Sequence, residues 1–118
     1  MATFYTFEKI ASSFPEVTIG PHFEKISFRV KNKIFATYDD TNGLATVKLS
    51  PMDQERFALL NPTIYPVDNK WGKQGWTFME VDRVNEKVLQ EVLATAYCQV
   101  APKALGKRAL QNKNRKNG

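Results

Sequence analysis

The amino-acid sequence predicts an α+β fold in which one antiparallel sheet carries helices on a face. Three observations point there: apolar residues recur at helical spacing near both ends, alternation punctuated by turn clusters fills the stretch between, and a capped helix interrupts the strands. Phe4, Phe7, Ile10, Ala11 and Phe14 form the first helical stripe, with Thr3 placed to cap it and Pro15 to end it. Such a stripe reads as core and not as a cofactor box. Ile26, Phe28 and Val30 then share one parity and Ser27 and Arg29 the other, as a half-buried strand requires. Lys31-Asn32-Lys33 reads as a hairpin turn and Ile34 to Tyr38 as the return strand. The cluster Asp39-Asp40-Thr41-Asn42-Gly43 leads into a third strand over Leu44 to Leu49, completing an antiparallel meander.

Ser50-Pro51-Met52-Asp53 marks a helix start: serine caps, proline suits the first helical position, and the positive end of the helix dipole favours the aspartate. That helix should stop near Leu60, since Asn61-Pro62 breaks it. A short extended piece follows around Ile64-Tyr65, then a tryptophan-bearing loop, then a strand from Trp76 to Val81. Asn85 can cap the last helix, whose apolar face comprises Val84, Val88, Leu89, Val92, Leu93, Ala96, Tyr97 and Val100, and Pro102 stops it.

A chain of 118 residues with 42% hydrophobic and 12% aromatic residues is composed as one globular domain, expected over residues 1–102 with a basic tail over 103–118. Its apolar runs are too short to span a bilayer, and Met1 to Tyr5 lacks the basic start and apolar core of a secretory signal. A cytoplasmic monomer is the expectation. One cysteine and one histidine argue against a closed zinc site, so no metal and no cofactor are expected. His22 has no nucleophile motif around it, Cys98 sits beside an apolar helix face as a buried thiol, and Asp39-Asp40 belongs to a turn. Gly72-Lys73-Gln74-Gly75 lacks the spacing and helix of a phosphate loop. No catalytic residues are identified, and the expectation is a protein that is not an enzyme.

The net charge of +5 is unevenly spread. Lys103, Lys107, Arg108, Lys113, Arg115 and Lys116 leave eleven cations against twelve acids over residues 1–102, about −1. The basic excess therefore belongs to the C-terminal segment, which either attracts a polyanion or is only solvated. Trp71-Gly72-Lys73-Gln74-Gly75-Trp76 holds both tryptophans with two glycines and a lysine between them, a composition that predicts a loop running into a strand. Trp76, at the strand start, is expected to anchor the core, and Trp71 with Lys73 to stay free for contact.

Phe14-Pro15-Glu16, Gly20-Pro21-His22-Phe23, the hairpin from Phe28 to Ala36, Val47-Lys48-Leu49-Ser50-Pro51 and the tryptophan segment, in this order, resemble the MmcQ/YjbR family over residues 4–102. The resemblance implies a two-layer fold like that of the bacterial frataxin CyaY, with an antiparallel sheet against N- and C-terminal helices. It also implies DNA binding through a double-wing arrangement of loops and hairpins. Arg29 and Lys31 take the outward parity of one strand, Lys33 lies across the turn and Lys48 is outward on the next strand, so the four can follow a phosphate backbone. Lys70 and Lys73 can form the second wing, with Trp71 or Trp76 stacking on an unpaired base or packing against a sugar. The alternative for the strand cations is solvation of an exposed sheet and protection of its edges.

Two other roles compete with DNA binding. One is a protein-interaction module with the Trp71–Trp76 loop as its hot spot. The other, frataxin-like metal binding, needs clustered carboxylates, whereas Glu8, Glu16 and Glu24 are widely spaced and mixed with Lys9 and Lys25.

Overall fold

The computed structural model describes the backbone of residues 2–117 and the side chains of residues 2–111. The chain runs α1 (Phe4–Ser12), β1 (Val17–His22), β2 (Lys25–Val30), β3 (Lys33–Asp39), β4 (Leu44–Lys48), α2 (Pro51–Leu60), β5 (Ile64–Pro66), α3 (Lys70–Lys73), β6 (Trp76–Glu80), a 3-10 turn (Val81–Arg83), α4 (Glu86–Val100) and α5 (Lys103–Asn117). Six strands form one antiparallel sheet in the order β1-β2-β3-β4-β6-β5. The α+β expectation holds, with the helices gathered on one face.

The three anticipated caps close their helices by the anticipated bond: Thr3, Ser50 and Asn85 each accept from the backbone N–H three residues on. Under the helices, Phe7, Phe28, Phe35 and Tyr97 are fully buried and meet edge to face. Tyr97 Oη donates to the Pro15 carbonyl at 2.6 Å, tying α4 to the segment after α1. Burial pushes its phenol up to about 12.

Within strands β1 to β3, three features differ from the sequence expectation. Val17–His22 is a strand that Gly20 and Pro21 conceal; it lies at the sheet edge, where a proline without an N–H is tolerated. The β2–β3 turn is Lys31-Asn32 alone, with φ of 51° and 67°, while Lys33 already pairs with Val30. A bulge places Phe35 between the paired residues Ile34 and Ala36, so Phe35 and Ala36 are both buried.

The segment read as a basic tail begins as α5, whose Leu105 and Ala109 join the core cluster that also holds α4 residues. Its Lys103, Lys107 and Arg108 therefore belong to the helix layer. The side chains of Lys113, Arg115 and Lys116 lie outside the described residues. Among the described residues, no helix is long and apolar enough to cross a membrane.

Candidate functional site

The tryptophan segment is built as a clasp. Asn69 caps α3 by accepting from the Trp71 N–H at 2.8 Å, which turns Lys70–Lys73 into a single helical turn instead of the expected loop. A Cβ at Gly72 would sit 1.8 Å from the Val67 carbonyl oxygen, and one at Gly75, where φ is +106°, would sit 1.8 Å from that of Leu49. Both glycines are thus demanded by backbone crossing backbone. Gln54 on α2 reaches in with Nε2, donating to the Gly72 carbonyl at 2.9 Å, the Trp76 carbonyl at 3.1 Å and Thr77 Oγ1 at 3.1 Å. Lys48 Nζ donates to the Gln74 carbonyl, closing the other side.

What the clasp presents is a pair of indoles on the sheet face that the helices leave open. Trp71 is 49% exposed. Trp76 is half-buried and lines the same groove, outside the helix-side core; the expectation that it anchors the core is corrected. The reason is parity: Trp76 and Phe78 alternate with Thr77 and Met79, and Met79 takes the core side.

The groove has a volume of about 850 Å³. Its floor follows the cross-strand register Thr37, Thr46, Phe78, with Trp76 beside it. One wall comes from the β5–α3 connection through Val67, Asn69 and Trp71. The facing wall comes from the β1–β2–β3 hairpins and carries His22, Lys25, Arg29, Asn32 and Lys33. No acid is among the lining residues, and among the described residues Lys25, Arg29 and Lys33 make no ion pair.

Arg29 is held in place by neutral groups. Its Nε donates to Ser27 Oγ at 3.1 Å and an NH2 hydrogen points to the Pro21 carbonyl at 3.4 Å, while Ser27 Oγ donates on to the Gly20 carbonyl at 2.9 Å. The guanidinium is oriented without being neutralised, and most of its five donors stay available. Beyond the groove, Asp39 is held below the usual carboxylate range by hydrogen bonds from the Thr41 hydroxyl and amide and, more weakly, by Lys25.

Of the cations and aromatics predicted to form a site, Arg29, Lys33 and Trp71 converge on this groove. Lys31 does not: its Nζ lies 2.9 Å from Glu16, whose carboxyl it holds below the usual range, with Arg108 at 4.0 Å on the other oxygen. Lys48 is part of the clasp. Lys70 lies 5.6 Å from the centroid of the Trp71 ring, and with Lys73 it borders a separate depression of about 560 Å³ behind α3. The sequence reading missed Lys25 and Phe78 as groove residues, and favoured the core for Trp76. Lys25 shares the parity of Ser27 and Arg29, and Phe78 that of Trp76, so alternation alone carried the signal. His22 was concealed with its strand; it pairs with Lys25 across the first hairpin.

Comparison with known proteins gives a family and a fold. A family model described as YjbR matches residues 12–99. Among solved structures, the chain is similar to protein DR2400 of Deinococcus radiodurans, described with family-model domain DUF419, at 23% identity and a TM-score of 0.73, covering 84% of this chain and 78% of that one. This likeness speaks to the fold alone. No curated protein matches the chain.

Proposed function

This chain belongs to the YjbR family, and from that premise we propose that its open sheet face is a low-specificity DNA-binding surface. A fold alone does not assign an activity, so the reading rests on one observation. Lys25, Arg29 and Lys33, none of which makes an ion pair among the described residues, face an aromatic floor across one groove. Clustered cations that no acid neutralises attract a phosphate backbone, and the gain comes from releasing its condensed counterions. Lys70 and Lys73 lie behind Trp71, around a separate depression that also holds Asp68, and in this reading they form a second wing beside the β2–β3 hairpin that adds less than the groove cations. Asn32 and Asn69 offer amides to sugar or base edges without a fixed pattern, consistent with low specificity.

The Lys31–Glu16 pair is solvent-exposed and so worth little. A phosphate can displace Glu16, but Lys31 begins from a neutralised state and contributes less than Arg29. Lys48 contributes to the clasp and not to the phosphate path.

The test is a salt series with the full chain and labelled DNA. Each phosphate neutralised should add roughly −0.9 to the slope of log affinity against log salt on duplex, so three contacts predict a slope near about −2.7. An Arg29→Ala, Lys33→Ala double variant should flatten it by about two such contacts. Absence of saturable binding to any DNA at about 50 mM salt, where such contacts are strong, sinks the proposal.

A further inference from the structure

We infer that the groove accepts a single unpaired strand, whose bases stack on Trp71 and Trp76 while its phosphates run along the Lys25–Arg29–Lys33 wall. This deepens, and rests on, the reading of the open face as a DNA-binding surface.

The placement of the aromatics carries it. In a two-layer fold the uncovered sheet face is expected to be polar. Here β6 puts Trp76 and Phe78 on that face, and Trp71 faces the same groove from the clasp. They line a concavity, Trp76 half-buried and Trp71 half-exposed. A duplex turns its sugars, phosphates and base edges outward and keeps the faces of its bases stacked on one another. Indoles in a recess gain nothing from that surface. An unpaired base offers its π-face, and base–aromatic stacking tolerates any sequence. Sheet faces that recognise RNA use aromatics in the same way, stacking two or three splayed bases.

The groove also has an orientation. Cations occupy the hairpin wall, and the indoles occupy the floor and the clasp wall. A strand lying between them must turn its backbone to the hairpins and its bases to α3 and β6. The volume of about 850 Å³ lies inside the roughly 300–1,000 Å³ range of pockets that enclose a ligand. The Thr37 and Thr46 side chains on the floor add hydroxyls that accept or donate, so they suit any base edge.

The experiment compares two probes on the full chain at about 50 mM salt: a labelled thymidine homopolymer of about 12 nucleotides, inside the roughly 4–16 that single-strand-binding OB folds cover, and a duplex of equal length. The single strand should bind at least about tenfold tighter and quench the intrinsic tryptophan fluorescence. Trp71→Ala should weaken single-strand binding about tenfold with an unchanged melting temperature, and leave duplex binding as it was. Trp76→Phe, which keeps an aromatic on the floor, should retain single-strand binding and remove part of the quenching. Equal or tighter duplex binding, or an indifferent Trp71→Ala, overturns the single-strand inference while leaving the phosphate contacts standing. Failure of both probes overturns the DNA-binding reading itself.

Discussion

The two faces of the sheet are made from the same strands by the same alternation, yet they end as opposites. On the helix side Phe7, Phe28, Phe35 and Tyr97 are fully buried, and their polar partner atoms are satisfied inside the fold. On the open side Trp76, Phe78 and Tyr65 stay half-buried, and the groove lined by Trp76 and Phe78 carries Lys25, Arg29 and Lys33 with no acid among its lining residues. Stability alone explains the first face. It does not explain the second, because an uncovered face gains solubility from polar residues and loses it with aromatics. The contrast separates residues kept for packing from residues available for a ligand.

Substitutions can break that contrast. The largest effect is expected from Phe28→Ala on the helix side, about 3–5 kcal/mol in denaturant unfolding, because transfer and cavity terms add; Phe78→Ala on the open side should cost less than half as much. A result in which the two cost the same would abolish the distinction between the faces. Gly75→Ala tests whether the clasp belongs to the structural side: overlap with the Leu49 carbonyl and the positive φ should destabilise the fold by about 3 kcal/mol and scatter the indoles.

Charge sharpens the contrast further. Arg29→Ala should weaken DNA binding about tenfold, as the loss of a charge-assisted contact of roughly 1.5 kcal/mol does, with no change in melting temperature. Lys31→Ala should do little to either, since an exposed pair is worth about 0–1 kcal/mol.

Alkaline pH probes the burial of tyrosines, the helix side above all. An unfolded tyrosine ionises near 10, whereas the folded Tyr97 holds its proton to about 12, so the unfolded chain loses protons first. Stability should be complete below that window and fall as pH rises through it. Tyr38 and Tyr65, also raised by burial, add in the same direction. Unfolding measured from neutral to alkaline pH should show the decline, and Tyr97→Phe should lessen it at a neutral-pH cost of about 1 kcal/mol from the lost bond to Pro15.

Much of this architecture is legible locally. Thr3, Ser50 and Asn85 announce their helices because a cap acts three residues away, within the reach of a sequence pattern. The core stripes of α1 and α4 follow from helical periodicity. Strand β1 escaped that logic because its legitimacy depends on being an edge, and whether a strand is an edge is a property of the sheet. The candidate site was half legible. Arg29, Lys33 and Trp71 were recognised by charge and aromaticity, but Trp76 was assigned to the core because a large aromatic at a strand start reads as an anchor, and which sheet face it takes is decided by the layers.

The sequence by itself determined α1, α2, α4 and their caps, the strands from β2 to β4, the parity of β2 and the family to which the chain belongs, because all of these are carried by neighbours along the chain. Only the tertiary structure decided which cations remain available. Glu16 neutralises Lys31 from 15 residues away, and the Gln74 carbonyl engages Lys48 from 26 residues away. Arg29 stays charged and oriented because Ser27 and Pro21, brought together by the β1–β2 pairing, hold it with neutral groups. Electrostatic partners are set by distance in space, and folding sets that distance.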